Sequence, residues 1–361
     1  MNGTSAPLSK KTKTCDAKDE LSAFDDVFTR LMNECLNEGD QKKCPETGDA
    51  IQHFLRVCDY NVPHGKKNRG ISVVTSFRCL VADPSEDDLF KARVLGWCIE
   101  WLQAYFLVAD DIMDHSITRR GRPCWYQNPG IGTIAINDSF YLEAAIYKIL
   151  KKYFRSESYY IDLVELFHET TLQTVIGQGL DLLTAEDEVV DFSKFSMGRY
   201  DSIVKWKTAF YSFYMPVALA MKMAGISDES AYDNAKEILL EMGHFFQVQD
   251  DYLDCYGDPE VTGKIGTDIE DNKCGWLINQ ALIRCSEDQR KVLEANYARK
   301  DLAAVAKVKE IFEELKLRQL YSEYEESSYQ ALMSKIQSLS NPDLPQRIFT
   351  SFAQKIFKRN K

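Results

Sequence analysis

Residues 94–109, "VLGWCIEWLQAYFLVA", are apolar nearly all round a helix, and the run ends in "DDIMD" at 110–114. A helix with no polar stripe must be enclosed by other elements, so this segment calls for a central buried helix with a shell around it. A second segment, "FFQVQDDYLD" at 245–254, ends the same way. In each case three aspartates in the spacing D-D-x-x-D lie three and four residues apart and share one helix face. They are Asp110, Asp111 and Asp114 in the first cluster, and Asp250, Asp251 and Asp254 in the second. Helix breakers follow both: Gly121 and Pro123, then Gly257 and Pro259. Carboxylates near a helix C-terminus face the negative end of the macrodipole and repel one another, so something must compensate them.

The rest of the chain is helical in pattern. "FDDVFTRLMNECL" puts Phe24, Val27, Phe28, Leu31 and Met32 on one stripe. Three further segments, 159–185, 202–225 and 234–254, run as long amphipathic or apolar helices, and the region from about 290 is charged and amphipathic. No segment alternates as a strand does and no N-G hairpin turn occurs, so the expected class is all-α. The polar opening, residues 1–20, is expected to be a flexible tail ahead of one large domain, 21–361.

Composition excludes several functions. The net charge is −11 over 361 residues, which argues against a nucleic-acid partner. No apolar run reaches the roughly 18 residues of a transmembrane segment. The ten cysteines are scattered, none in C-x-x-C, and read as reduced thiols rather than a disulfide framework or zinc site. The opening has no apolar signal core and no arginine, making it a poor mitochondrial presequence, so the expected compartment is the cytoplasm.

An acidic triplet on a helix is ordinarily a solvated face. Two that follow apolar turns are not explained that way. Hard oxygen ligands suit Mg²⁺, shared with substrate phosphates. Basic residues accompany the clusters: Arg119 and Arg120 after the first, Lys264 and Lys273 after the second, and the loop "VPHGKKNRG" at 62–70. Lys207 and Thr208 interrupt the apolar "KWKTAFYSFYMP", and Gln178 and Asp181 interrupt "GQGLDLL". A lysine in such surroundings needs an anionic partner or solvent.

Taken together, the paired aspartate motifs, "GKKNRG", "TRRG", "KTAFYSFY", "GKIGTDIEDNKC" and the terminal "KIFKRNK" resemble the trans-type short-chain isoprenyl diphosphate synthase family, from about residue 50 to the C-terminus. The resemblance implies an all-α bundle around a deep central cavity (the isoprenoid synthase fold), usually a homodimer. It implies condensation of dimethylallyl and then geranyl diphosphate with isopentenyl diphosphate to give farnesyl diphosphate. Asp110, Asp111, Asp114 and Asp250 would bind three Mg²⁺ (or Mn²⁺), with Asp251 and Asp254 acting largely through water. Arg119, Lys207 and Lys264 would grip the allylic diphosphate, with Lys273 beside them. Lys66, Arg69, Gln103, Arg120 and Arg359 would hold isopentenyl diphosphate. Thr208 and Gln247 would line the allylic cation, near the Lys207 carbonyl. Tyr105 and Phe106, one turn before Asp110, match the family's chain-length floor, as Tyr-Phe where double Phe is common. His64 stands where the family usually has glycine. A geranyl diphosphate synthase, a terpene synthase lacking the isopentenyl grip, and a non-catalytic subunit are the alternatives. The intact aspartates and basic loop favour the transferase.

Overall fold

The structure, a computed structural model, describes residues 17–37, 44–186, 189–262 and 265–358. It is helical almost throughout. The chain runs α1 (Ala17–Leu31), which continues into a π turn (Met32–Asn37), then α2 (Gly48–Asn61), α3 (Asn68–Leu80) and α4 (Glu86–Met113). A hairpin of two-residue strands follows, β1 (Thr118–Arg119) paired antiparallel with β2 (Arg122–Pro123). Next come α5 (Ile134–Phe154) and α6 (Tyr160–Thr184). Then α7 (Met197–Ile203) passes through a π stretch (Val204–Tyr214) directly into α8 (Met215–Met223). The remainder is α9 (Glu229–Tyr256), α10 (Pro259–Thr262), α11 (Trp276–Arg284), α12 (Glu287–Asn296), α13 (Leu302–Glu314), α14 (Leu317–Ser338) and α15 (Arg347–Ile356).

α4 is central, as its all-round apolarity requires. A Ser85–Asp88 capping box starts it, and Leu95, Trp97, Cys98, Ile99, Trp101 and Leu102 along it are fully buried. α3, α5 and α1 pack on it. Against α3 the backbones nearly touch: a Cβ on Gly96 would lie 2.5 Å from the Gly70 carbonyl. That contact sets Arg69 of α3 beside Glu100 and Gln103 of α4. A second close crossing joins α6 to the π stretch, where a Cβ on Gly177 would lie 2.1 Å from the Lys207 amide nitrogen. Only glycine allows this approach, and it sets Lys207 against Asp181.

Two expectations change. The tail was expected to reach residue 20, but α1 begins at Ala17, and Glu20 is buried in ion pairs with Arg93 (2.7 Å) and Arg78 (2.8 Å). A carboxylate that looks like tail polarity is held by arginines from α3 and α4, contacts that no local pattern reveals. The hairpin 118–123 is likewise absent from the periodicity, since two residues are too few to alternate. Of the stripe, Phe24, Val27, Phe28 and Leu31 are buried, and Met32, where the π turn begins, is half-buried. The described cysteines are free thiols, and no described helix is long and apolar enough to cross a membrane.

Candidate active site

The first aspartate cluster closes α4: Asp110 and Asp111 occupy its last turn and Asp114 is the C-cap. Three cations from elsewhere in the fold meet it. Arg119 of the hairpin clasps Asp111 Oδ1 through Nε (2.7 Å) and Nη2 (2.6 Å) and reaches Asp110 at 3.6 Å. Lys207 lies 3.4 Å from Asp110 and 2.6 Å from Asp181. Lys273, on the loop before α11, donates to Asp114 (2.9 Å) and Asp181 (3.3 Å). Asp181 is thus a buried anion shared by two lysines, and these supply the compensation the helix end requires.

The protonation balance follows from this geometry. Burial pushes the Asp110 carboxyl up, but Lys207, Lys273 and Arg119 outweigh it and hold the group below its ordinary value. Asp114 is raised, by burial first and then by the charge of Asp110. Asp111 is raised by burial despite Arg119. Asp181 is buried too, yet Lys207 and Lys273 hold it well below the carboxylate range. Both lysines are correspondingly raised: the aspartates overcome the cost of burying their charge.

The second cluster, near the end of α9, is unequal in its parts. Asp251 accepts from Gln247 Nε2 (2.9 Å) and from the Trp276 amide (2.7 Å), so both oxygens are committed to the protein. Burial pushes it up to about 7. Asp254 Oδ2 accepts from the Asp268 amide (3.0 Å) and so ties the loop to the helix. Asp250 is half-buried.

A separate cationic cradle lies between α3, α4 and the hairpin. Arg69 donates through Nε to Ser212 Oγ (2.9 Å) and through Nη2 to Tyr211 OH (3.1 Å), with its guanidinium over the Tyr211 ring. With its amide oriented to satisfy both neighbours, Gln103 accepts from Arg69 Nη1 (2.8 Å) and donates to Glu100 Oε2 (3.1 Å). Glu100, fully buried and raised by that burial, also accepts from the Gly70 amide (2.8 Å). Arg120 points away from Arg119: its Nη1 donates to the Asn61 carbonyl (3.2 Å), and its guanidinium abuts Gly65. Lys66, on this loop, is exposed, and Lys67 pairs with Asp25 of α1 (2.5 Å).

Beneath the first cluster, Tyr105 and Phe106 pack with centroids 4.9 Å apart, and Phe106 meets Tyr211 edge-on at 5.4 Å. Thr208 and Gln247 are both half-buried. Lys264 and Arg359 lie outside the described residues. Sequence reasoning flagged Asp181 only as a buried polar residue and missed Glu100. An aspartate inside an apolar helix was the available signal for the first; a glutamate in the run 94–109 was the signal for the second.

A polyprenyl synthetase family model matches residues 51–315. Farnesyl pyrophosphate synthase of Bos taurus is 56% identical over 96% of this chain and 97% of its own length. The enzyme of the same name from Saccharomyces cerevisiae is 54% identical, covering 94% and 97%. The structure of T. brucei farnesyl diphosphate synthase complexed with risedronate superposes with a TM-score of 0.86 at 31% identity, covering 95% of this chain and 100% of that one. The chain belongs to the polyprenyl synthetase family.

Proposed function

We propose that the protein is a farnesyl diphosphate synthase. It joins dimethylallyl diphosphate to isopentenyl diphosphate, then elongates the geranyl product once more. The observation that carries this reading is the presence of two cationic sites, one at the aspartate helix end and one at Arg69, Gln103 and Arg120. Two anionic substrates need two such sites, whereas a terpene synthase needs one.

The residues at the first site suit a divalent metal. Among the described residues no three His, Cys, Asp or Glu groups converge as a ready-made cage. Asp110 Oδ1, however, is buried with no hydrogen-bond donor, only the ion contact to Lys207. Hard oxygens without a complete protein shell fit Mg²⁺, which keeps waters and shares phosphate oxygens. Asp110, Asp114 and Asp250 would hold three such ions, with Asp111, Asp251 and Asp254 behind them; bound there, Mg²⁺ supplies positive charge to the leaving diphosphate.

The chain's own groups do the rest. Lys207, Lys273 and Arg119 are fixed donors around the allylic diphosphate, and Lys264 adds to them. Their charges are in place before reaction, so stabilising the departing anion requires little reorganisation. Lys66, Arg69, Gln103, Arg120 and Arg359 orient isopentenyl diphosphate. Thr208, Gln247 and the Lys207 carbonyl present oxygen dipoles to the allylic cation. Phe106 and Tyr211 exclude water that would quench it. The released diphosphate accepts the final proton, since no protein base is needed at the new double bond.

Incubation with Mg²⁺, dimethylallyl and isopentenyl diphosphates, followed by product identification, is the direct test: C15 diphosphate is expected, and cyclic or eliminated hydrocarbons would overturn the reading. In the same assay, Lys66→Ala and Arg69→Ala should raise KM for isopentenyl diphosphate by roughly tenfold or more while leaving KM for geranyl diphosphate within about threefold. Equal effects on both would remove the loop from the second site. The exposed apolar residues Ile136 and Phe140 on α5, with Leu172, Val175 and Ile176 on α6, form neighbouring helical stripes that suit a homodimer. Sedimentation at micromolar concentration should give twice the chain mass, and a monomer there would exclude it.

A further inference from the structure

Arg119 and Arg120 are adjacent, yet they serve opposite sides of the cavity. Arg120 achieves this in the left-handed region, at φ +55°. A non-glycine residue there is strained, and the surrounding structure must hold it. Asp110 and Asp111 hold Arg119, whereas the buried Glu100 is the carboxylate that acts on Arg120. What keeps Arg120 on the isopentenyl side is therefore a physical question.

The hairpin is pinned from behind. Tyr126 OH donates to the Ser116 carbonyl (2.9 Å), closing the hairpin base. Trp125, the residue before it, donates Nε1–H to Asp138 Oδ2 (2.8 Å) on α5. The other oxygen of Asp138 accepts from His53 Nε2 of α2 (2.7 Å), and Arg56 lies 3.3 Å from His53 Nδ1, a donor that favours the tautomer with the proton on Nε2. Asp138 has no exposed surface. An unpaired carboxylate there would be costly, so its two donors matter. Two turns further along the same face of α2, Tyr60 packs at a tilt against Trp125 (5.0 Å between centroids), donates to the Pro123 carbonyl (2.8 Å) and lies under the Arg122 guanidinium (4.0 Å). α2 then runs into the loop that carries Lys66, and its last residue, Asn61, accepts from Arg120.

We infer that His53, Asp138 and Trp125 are positioning residues for isopentenyl diphosphate: they dock the hairpin on α2 so that Arg120 and the Lys66 loop form one cradle. The inference rests on the proposed two-substrate reading. Their effect should therefore appear on one substrate and run through Arg120.

The test is steady-state kinetics on the full chain with both substrates varied. Asp138→Ala should raise KM for isopentenyl diphosphate by about tenfold and leave KM for geranyl diphosphate within about threefold. Asp138→Asn, which still accepts from Trp125, should recover most of the affinity. In an Arg120→Ala background, Asp138→Ala should add less than about twofold, because the route is already cut. Should Asp138→Ala fail to fold, Trp125→Phe removes the donor and keeps the ring, and the same selective rise is expected at smaller size. A loss of thermal stability with both KM values unchanged would reduce the cluster to packing and overturn the inference. So would equal effects on the two substrates, or effects that multiply with Arg120→Ala. The Lys66 and Arg69 variants report on the two-site reading separately, so failure of one is distinguishable from failure of the other.

Discussion

Asp110→Ala should lower turnover by roughly a thousandfold or more at saturating Mg²⁺ and substrates, with Asp250→Ala comparable. Asp110 Oδ1 is buried without a hydrogen-bond donor, a position stable only beside positive charge. Removing the carboxylate takes away a metal ligand while Lys207 keeps its 2.6 Å pair with Asp181. The lysine is therefore not orphaned, and the fold should survive the change. Loss of rate with preserved helical signal and thermal stability is the expected pair of results, since the demand removed is charge at the leaving diphosphate. The Mg²⁺ concentration needed for half-maximal rate should also rise, since the vacated position weakens ion binding. A variant with near-parental turnover at ordinary Mg²⁺ would refute the metal assignment.

Replacing both Tyr105 and Phe106 by alanine should shift the product from C15 to C20 or longer. Four residues on α4 separate Phe106 from Asp110, about 6 Å along the axis, and helix side chains lean toward the N-terminus. The rings consequently sit one turn below the aspartates, where a growing tail descends. Phe106 is braced edge-on by Tyr211 and packed at a tilt against Tyr105, so it is a fixed stop rather than a swinging one. Both rings are only half-buried, which keeps the stability cost below that of a fully buried aromatic. Ionisation of the allylic substrate should be retained, because Asp110, Lys207 and Lys273 are unchanged. Chain-length analysis of the extracted products gives the answer. Unchanged C15 from an active, folded double variant would place the floor elsewhere.

Much of this was readable in the sequence. The run 94–109 required a buried helix, and the D-D-x-x-D spacing required three carboxylates on one face at each helix end. Those are local facts: a helix fixes which residues share a face within a few turns, whatever packs against it. The same locality explains why Lys207 could be marked as needing a partner but not given one.

What the tertiary structure decided was which faces meet. Only the crossing at Gly177 brings Asp181 to Lys207, and only the folded loop adds Lys273 to the same carboxylate. Lys66 and Lys67 are equivalent in sequence, yet Asp25 from a distant helix takes the second. Arg119 and Arg120 are equally alike, and a left-handed residue sends them to different sites. Asp251 is committed to the protein because the Trp276 amide, which α9 does not contain, occupies one of its oxygens. Spacing along one helix is set by the backbone repeat, so the sequence determined the all-α class and the carboxylate faces. The partner of a charge is set by contacts between segments far apart in the chain, and those exist only once the bundle has closed.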